Sequence, residues 1–492
     1  MTKRALNIEI VALKNENSEL KSELTELKLQ MKELLRLIHG SKSERHTEEV
    51  NPEQLGLFEK ELPKVIEPSP TEEISYTRSK NKHKGRNPLP DHLPVNEIII
   101  EPEEDTTGMI KIGEERTDTL DYKPASLVVN RYIRPKYAPK DGEGVYQAPM
   151  PCRPIERGLA EAGLLAFILV QKFVYHMPFY RTIAQFKQLY QYELSKSTVN
   201  DWFISVYSLM KPLYACLKKQ VLLSTYIQAD ESPIKVLDKN KPKNTHKGYY
   251  WVYHAPKEKL AFFDYQKGRG KDGPKRLLED YKGYLQTDGY VVYDKVAEAF
   301  EGIILLGCMA HARRYFFKAK DNDLQRANIA LQYFKQLYAI EQQINKQEMT
   351  PQQTKKHRLE KSKPVLDELI QWAIQEKGKV APKSLIGKAF TYLTLQWTKL
   401  TKYLEDGRLC IDNNFIENTI RPLAVGRKNY LFAGSSKGAE RIAMMYSFFA
   451  TCKMNDVNPF IWLRETLKRI PQHPVNRIEE LLPGDWVKQF DM

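Results

Sequence analysis

Three carboxylates stand out by the stretches that carry them. Asp230 lies in YIQADESPIKVL and Asp288 in GYLQTDGYVVYD, each closing an apolar run that reads as a strand. Glu417 lies in DNNFIENTIRPLAVGRKNYLFAGS, one turn past a helix start at Asp412, with Arg421 four residues on and therefore on the same helical face. Arg427 and Lys428 follow, in a stretch (Leu423 to Phe432) that reads as a basic loop or hairpin. Taken alone, that last segment is an exposed helix with an ion pair and a solvated loop. Two acidic strand ends in the same chain change the reading. Hard divalent cations take oxygen ligands, usually one or two carboxylates with waters and substrate phosphate. Two such ions roughly 3.5 to 4 Å apart clamp the attacking and leaving oxygens of an in-line phosphoryl displacement. The expectation is a nuclease or strand-transfer centre in which Asp230, Asp288 and Glu417 are catalytic and bind two magnesium (or manganese) ions. Glu231, Asp294 and Asp412 are neighbours expected to tolerate substitution, Asp412 being worth a helix cap, about 1 kcal/mol.

The elements that must position these groups follow from the pattern. From 224 to 320 the order is three strands, a helix, a strand, a helix and a strand, closing in HARRYFFKAK. This is the element order of an RNase H-like α/β layer. In such a layer the first and fourth strands lie side by side, which would bring Asp230 to Asp288. Residues 321–404 read as a helical insertion whose charge points to a surface over bound nucleic acid. Residues 405–456 return to the core with Glu417, and 457–492 form a helical tail.

Upstream, Leu6, Leu13, Leu20, Leu27 and Leu34 recur every seven residues, with Ile10, Asn17, Leu24, Met31 and Ile38 on the same seam. Residues 1–40 thus read as a leucine-zipper coiled coil, and Asn17 at an a position selects register and two strands. The expected assembly is a homodimer. Residues 41–94 are a basic, proline-rich linker, and 95–150 a small β module. Residues 151–223 are helical by period, and YRTIAQFKQL followed by STVNDWFISVYSLM gives a helix-turn-helix pattern. Ser197 would cap the second helix, with Lys196, Ser197, Thr198 and Asn200 at its exposed start, where base contacts are usually made. A helical hairpin that touches only its own core has the same pattern.

The totals agree with a polyanion as partner. The chain has 492 residues, which implies several domains, and a formal charge of +14 spread through its segments. Five scattered cysteines without a CxxC pair argue against a disulfide framework, and the longest apolar run is too short to span a bilayer. The expectation is a cytoplasmic, multidomain α+β protein with no membrane partner.

Long strings in order, GLAEAGLLAFILVQKFVYHMPFYR, LSKSTVNDW, ADESPIKVL, LQTDGY, GCMAHARRYF and IENTIRPLAVGRKNYLFAGS, resemble the IS66 family of bacterial insertion-sequence transposases. The resemblance covers nearly the whole chain. It implies a DDE triad at Asp230, Asp288 and Glu417, and metal-dependent cleavage and strand transfer of DNA. The terminal repeats of the element and the target DNA would be bound, with small accessory proteins of the same element as further partners. Arg421, Arg427 and Lys428 would hold phosphate oxygens. Cys308 and His311 resemble a CxxH element of some DDE transposases, with His311, Arg313 and Arg314 as auxiliary candidates; packing beneath the site is the alternative, favoured for Cys308. One departure stands out. Relatives commonly carry a zinc module with two cysteine pairs, and here KYAPKDG puts Pro139 and Gly142 where the second pair would sit, so no zinc is expected. The rival class is a transposase-derived dimeric DNA-binding regulator without catalysis, which three intact carboxylates argue against. A repair nuclease of RNase H type would need no zipper.

Overall fold

The computed structural model describes residues 127–133, 136–137, 146–147, 149–156, 158–241 and 243–490. The expected zipper and linker, and most of the small β module, lie outside the described residues. Of the β module, a two-stranded antiparallel ribbon is described, pairing Lys136–Tyr137 with Tyr146–Gln147. The elements below all belong to the unit that includes residues 134–492.

Three helices open the described core: α1 (Ala162–Phe173), α2 (Phe179–Tyr190) and α3 (Lys196–Leu223). α3 starts two residues earlier than a Ser197 cap implies, because Ser195 is the cap: Ser195 Oγ accepts from the Thr198 backbone N–H at 3.0 Å. Ser197 instead sits in the first turn, its hydroxyl 2.7 Å from that of Ser195. Val199, Trp202, Phe203, Val206, Met210, Leu213, Leu217 and Val221 form the buried stripe of α3, at the 3–4 residue spacing an amphipathic helix requires.

A five-stranded sheet follows, made of β1 (Tyr226–Leu237), β2 (Thr245–Ala255), β3 (Leu260–Gln266), β4 (Gly283–Gln286) and β5 (Ile303–Leu306). Its spatial order is β3-β2-β1-β4-β5. β1, β2 and β3 form an antiparallel meander, whereas β1 with β4 and β4 with β5 are parallel. The parallel pairs are joined through α4 (Asp272–Leu277) and α5 (Val291–Ala299). Asp230 does not end its strand, as the apolar run had implied. β1 continues seven residues past it, through Pro233, because β2 remains paired with it from Gln228 to Leu237.

After β5 come α6 (Met309–Lys318) and the insertion, with α7 (Leu324–Lys346), α8 (Pro351–His357), a π-helical turn (Arg358–Ser362), α9 (Lys363–Lys377), α10 (Leu385–Leu395) and α11 (Trp397–Thr401). The chain then returns as α12 (Asn414–Tyr430), α13 (Ser436–Met454) and α14 (Pro459–Arg469). The stretch read as a loop at Leu423 to Phe432 is mostly helix. Pro422 costs α12 one backbone donor, but Ile416, Ile420 and Leu423 keep one face buried on both sides of it, and packing prevails.

The β3 edge of the sheet is sealed by side chains. Ser447 Oγ on α13 accepts from the Phe263 N–H at 2.8 Å, and Thr451 Oγ1 accepts from the Ala261 N–H at 3.2 Å. An edge strand's unmet donors are a pairing hazard, and two hydroxyls of one helix remove it here. Among the described residues no helix is long and apolar enough to cross a membrane, and all five cysteines are free.

Candidate functional site

The site begins with a pair of glutamines. Both acidic strands read Gln-x-Asp, and the parallel register sets Gln228 opposite Gln286. Each aspartate is two residues further on, so Asp230 and Asp288 both lie just past the end of the β1–β4 pairing, near enough for the Asp288 charge to act on Asp230. The chain turns immediately after Asp288: Gly289 has φ +90°, a region that disfavours other residues, and Asp288 Oδ1 accepts from the Tyr290 N–H at 2.9 Å. Asp230 Oδ1 accepts from the Glu231 N–H at 2.7 Å.

Glu417 arrives from α12. Its carboxylate receives Arg314 Nη2 of α6 at 3.1 and 3.4 Å, while His311 Nε2 lies 3.9 Å away. Asp230 senses the other two carboxylates. Burial raises the Asp230 carboxyl well above the usual aspartate range, and the negative charges of Glu231, Asp288 and Glu417 push it further. Burial lowers His311, and the neighbouring Arg314 cation adds to that, so the imidazole favours its neutral form.

The glutamines also tie the strands to the start of α12. Gln228 Nε2 donates to Gln286 Oε1 at 2.9 Å and to the Asp412 carbonyl at 3.1 Å. Gln286 Nε2 donates to the carbonyls of Gly307 at 3.0 Å and Cys410 at 2.9 Å, and Tyr226 Oη donates to Gln286 Oε1 at 2.5 Å. His254 Nδ1 lies 3.3 Å from Gln228 Oε1, and burial lowers its pKa to about 4. Buried amides bonded this way favour one alignment of strand and helix, because a slip would leave them without partners.

The neighbouring carboxylates are less passive than the sequence implied. Glu231 has a side chain only 2 % exposed and is bound by Arg269, whose Nε donates to Oε1 at 2.7 Å and whose guanidinium covers the Tyr290 ring at 4.0 Å. Asp412 is buried and precedes the first turn rather than capping it from an exposed position. Its Oδ1 accepts from the Asn414 N–H at 3.0 Å and its Oδ2 accepts from Tyr338 Oη at 2.7 Å. Asp294 pairs with Lys399. Cys308 is fully buried, with its Sγ accepting from the Asn413 N–H at 3.5 Å, and burial holds the thiol protonated. Arg313 is lowered by burial.

The basic candidates divide in two. Lys196, Ser197 and Asn200 are exposed at the start of α3, with Thr198 partly covered, although Asn200 Nδ2 donates to the Lys196 carbonyl at 2.8 Å. Lys428 is exposed in the last turn of α12, and Arg421 is half-buried. Arg427 turns inward instead, donating to Ser232 Oγ at 2.8 Å and to the Pro233 carbonyl at 2.5 Å, so that it fastens α12 to β1.

The donor chemistry here suits a hard divalent cation, since every nearby anionic group is a carboxylate and Asp230 carries the cost of three negative neighbours. Among the described residues, however, no three His, Cys, Asp or Glu are drawn together tightly enough to hold an ion. Glu417 faces Arg314, and a cation would take over the charge that this guanidinium now balances.

Comparison with known proteins agrees with this architecture. A model described as the transposase IS66 family matches residues 157–441, and one described as the IS66 C-terminal element matches 447–483. A third, described as transposase C of IS166 homeodomain, matches 26–98. Three uncharacterized proteins of Sinorhizobium fredii (strain NBRC 101917 / NGR234) are similar over most of their length. y4hP is 32 % identical over 84 % of this chain and 78 % of its own. y4jD is 31 % identical over 92 % and 93 %, and y4qI is 33 % identical over 92 % and 88 %. The chain belongs to the IS66 family of transposases.

Proposed function

We propose that this transposase binds the ends of its own insertion sequence and carries out DNA cleavage and strand transfer at Asp230, Asp288 and Glu417. The observation that supports this most is the Gln228–Gln286 pairing, which brings two aspartates to the end of a parallel strand pair, Asp230 within β1 and Asp288 in the turn after β4, and is bonded to the segment that starts the glutamate's helix. The strand order β3-β2-β1-β4-β5, with an antiparallel meander followed by two parallel pairs, supports the RNase H-like reading of the core.

In this reading the three carboxylates hold two magnesium or manganese ions. Bound there, the ions would supply Lewis-acid charge to the phosphoryl oxygens and make an attacking hydroxyl more nucleophilic. The chain's own residues do the rest. Backbone register brings Asp230 and Asp288 to the same end of the β1–β4 pairing, and Glu417 brings the third negative charge from a separate element. Arg314 neutralises Glu417 until cations arrive. Hydrolysis of a phosphodiester at the element end leaves a 3′-hydroxyl, which then displaces a bridging oxygen in the target strand. Lys428 and Arg421 lie on the helix of Glu417, where they can take phosphate oxygens. Lys196 and Asn200 offer exposed polar groups for reading the element end. A homodimer through residues 1–40 would bring two ends together.

The test is cleavage of labelled element-end DNA by the purified full chain with and without magnesium. Strand scission at the end that requires the cation supports the proposal. Tight, end-specific binding with no scission in magnesium or manganese would assign the chain to the DNA-binding regulator class instead.

A further inference from the structure

The helical insertion bonds to the segments that carry the site's carboxylates at three separate places. From α10, Tyr392 Oη donates to the Asp288 carbonyl at 2.7 Å. Its ring stacks on Tyr315 of α6 with centroids 4.6 Å apart and planes 23° apart, which fixes where that hydroxyl stands. Gly289 admits this approach, because a Cβ there would lie 3.2 Å from the same hydroxyl.

From α7, Tyr338 Oη donates to Asp412 Oδ2 at 2.7 Å, and the same carboxylate accepts from Asn414, the first residue of the helix that carries Glu417. The third contact comes from the π-helical turn. Arg358 is 3 % exposed, paired through two donors with Glu341 at 2.8 and 2.6 Å, and donates to the carbonyls of Tyr403 at 3.0 Å and Leu409 at 2.9 Å. Burying a guanidinium is costly unless its donors are met, and these acceptors lie along the segment that leads to Asp412. That segment runs so close to the insertion that a Cβ on Gly407 would come within 1.9 Å of the Pro351 carbonyl oxygen. Single π turns inside α-helices occur frequently at functional sites, and this one delivers the arginine.

A flap that merely covered DNA would need no bonds to the acidic elements beneath it. Here one module grips the turn of Asp288 with one residue and the approach to Glu417 with two, while Asp230 stays on the sheet. We infer that the insertion is the positioning element of the site: Tyr392, Tyr338 and Arg358 set where Asp288 and Glu417 stand relative to Asp230. The inference rests on the reading of these three carboxylates as cation ligands.

The experiment compares full-length wild type with Tyr392→Phe, Tyr338→Phe and Asp288→Asn, with Lys363→Met on the exposed face of α9 as the baseline. Manganese binding is measured by titration calorimetry, cleavage rate is measured against manganese concentration, and the metal-free thermal midpoint is recorded for each. Asp288→Asn should lose binding. Each tyrosine variant should bind manganese about 10-fold more weakly, the size of effect typical for groups that orient metal ligands. Its cleavage rate should recover at saturating manganese, a pattern that loss of folded protein would not produce. Unchanged manganese affinity in both tyrosine variants, with Asp288→Asn inactive in binding, would overturn the positioning role and leave the ligand assignment standing. Wild-type binding that Asp288→Asn does not weaken would overturn the ligand assignment and this inference with it.

Discussion

The sheet and the helix deliver their carboxylates by different physical means. Asp230 and Asp288 stand next to each other because two strands are paired in parallel from Tyr226↔Tyr284 to Gln228↔Gln286, so their neighbourhood is a property of backbone register. Shifting it by one residue would turn every side chain of the strand to the other face. Glu417 has no such ladder. Its helix is located by the buried Ile416, Ile420 and Leu423 and by individual side-chain bonds: Gln228 and Gln286 to the carbonyls of Asp412 and Cys410, Tyr338 to the Asp412 carboxylate, and Arg427 to β1. Bonds of that kind contribute about 1 kcal/mol net each. Register therefore brings both aspartates to one end of the β1–β4 pairing, with Tyr392 bonded to the turn that carries Asp288, whereas the third carboxylate depends on side-chain contacts throughout and can be displaced by small steps.

The largest effect should come from the carboxylates themselves. Asp230→Asn, Asp288→Asn and Glu417→Gln keep side-chain size and remove the charge that a hard cation needs. Each should lower cleavage by about a thousand-fold or more, and a double variant should be little worse than a single one, as for residues that act as a unit. Binding to element-end DNA should persist. The assay is scission of labelled end DNA in magnesium, with a parallel binding measurement. Cleavage at the wild-type rate by Glu417→Gln, with both aspartate variants inactive, would remove the helix from the comparison.

The next effects probe the glutamine network between the two regions. His254, bonded to Gln228, has a folded pKa of about 4 against an ordinary 6.5. Between those values the unfolded chain binds a proton that the folded chain refuses. Stability should thus be lost as pH falls from 6.5 through 4, by about 3 kcal/mol at most. Burial-raised Asp230 and Asp412 act in the opposite sense, so the readout is the difference in urea-unfolding free energy between wild type and His254→Gln across that window. Equal slopes would show that His254 carries no such linkage. Gln286→Leu should cost about 2 to 3 kcal/mol at pH 7, because the Gly307 and Cys410 carbonyls lose their amide donor. Wild-type stability in that variant would mean that the helix is held by something else.

The same division explains how far the sequence could be read. The apolar runs before Asp230 and Asp288 and the element order from 224 to 320 were enough to place two strands side by side. The Gln-x-Asp repeat was visible as well, but its meaning depends on parallel register, which one strand alone does not display. On the helix side the start near Asp412 and the shared face of Glu417 and Arg421 were legible, but the second half of the helix was not. Pro422 and the basic run imitated a loop while burial of Ile416, Ile420 and Leu423 kept a helix, and Arg427 looked like a phosphate ligand although its guanidinium faces Ser232 and Pro233. Glu231 looked like a neutral neighbour because nothing local announces Arg269, which lies 38 residues away. Tyr392 and Tyr338 carried no signal at all, since their partners are a backbone carbonyl and a carboxylate brought near only by the fold.

Away from the carboxylates, the start of α3 offers a smaller effect on a different observable. Asn200→Ala should reduce discrimination between end and random DNA by about 1 to 3 kcal/mol if its amide exchanges the Lys196 carbonyl for a base edge. Lys196→Ala should weaken both complexes alike and flatten their salt dependence. The measurement is binding to both DNAs at several salt concentrations. No change in either variant would make the hairpin structural, leaving recognition to another segment.

The smallest expected effect tests the helix side most finely. Asp412 accepts from Asn414 N–H at 3.0 Å, from Asn414 Nδ2 at 2.9 Å and from Tyr338 Oη at 2.7 Å, and burial raises its own pKa. In Asp412→Asn one carbonyl oxygen can still serve the Asn414 backbone. The new amide group meets Tyr338, whose hydroxyl can rotate to accept, and the Asn414 side chain, whose amide can flip to present its oxygen. Removing a buried charge also recovers part of its desolvation cost, so the net loss should be about 1 kcal/mol in urea unfolding. Asp412→Ala leaves all three donors unmet and should cost about 2 to 3 kcal/mol. At saturating magnesium Asp412→Asn should cleave end DNA while Glu417→Gln does not, because the first change keeps the helix in place and the second removes a ligand. If Asp412→Asn lost cleavage and Glu417→Gln kept it, the third carboxylate of the site would be Asp412, and the side-chain bonds now read as holding a helix would be holding the ligand itself.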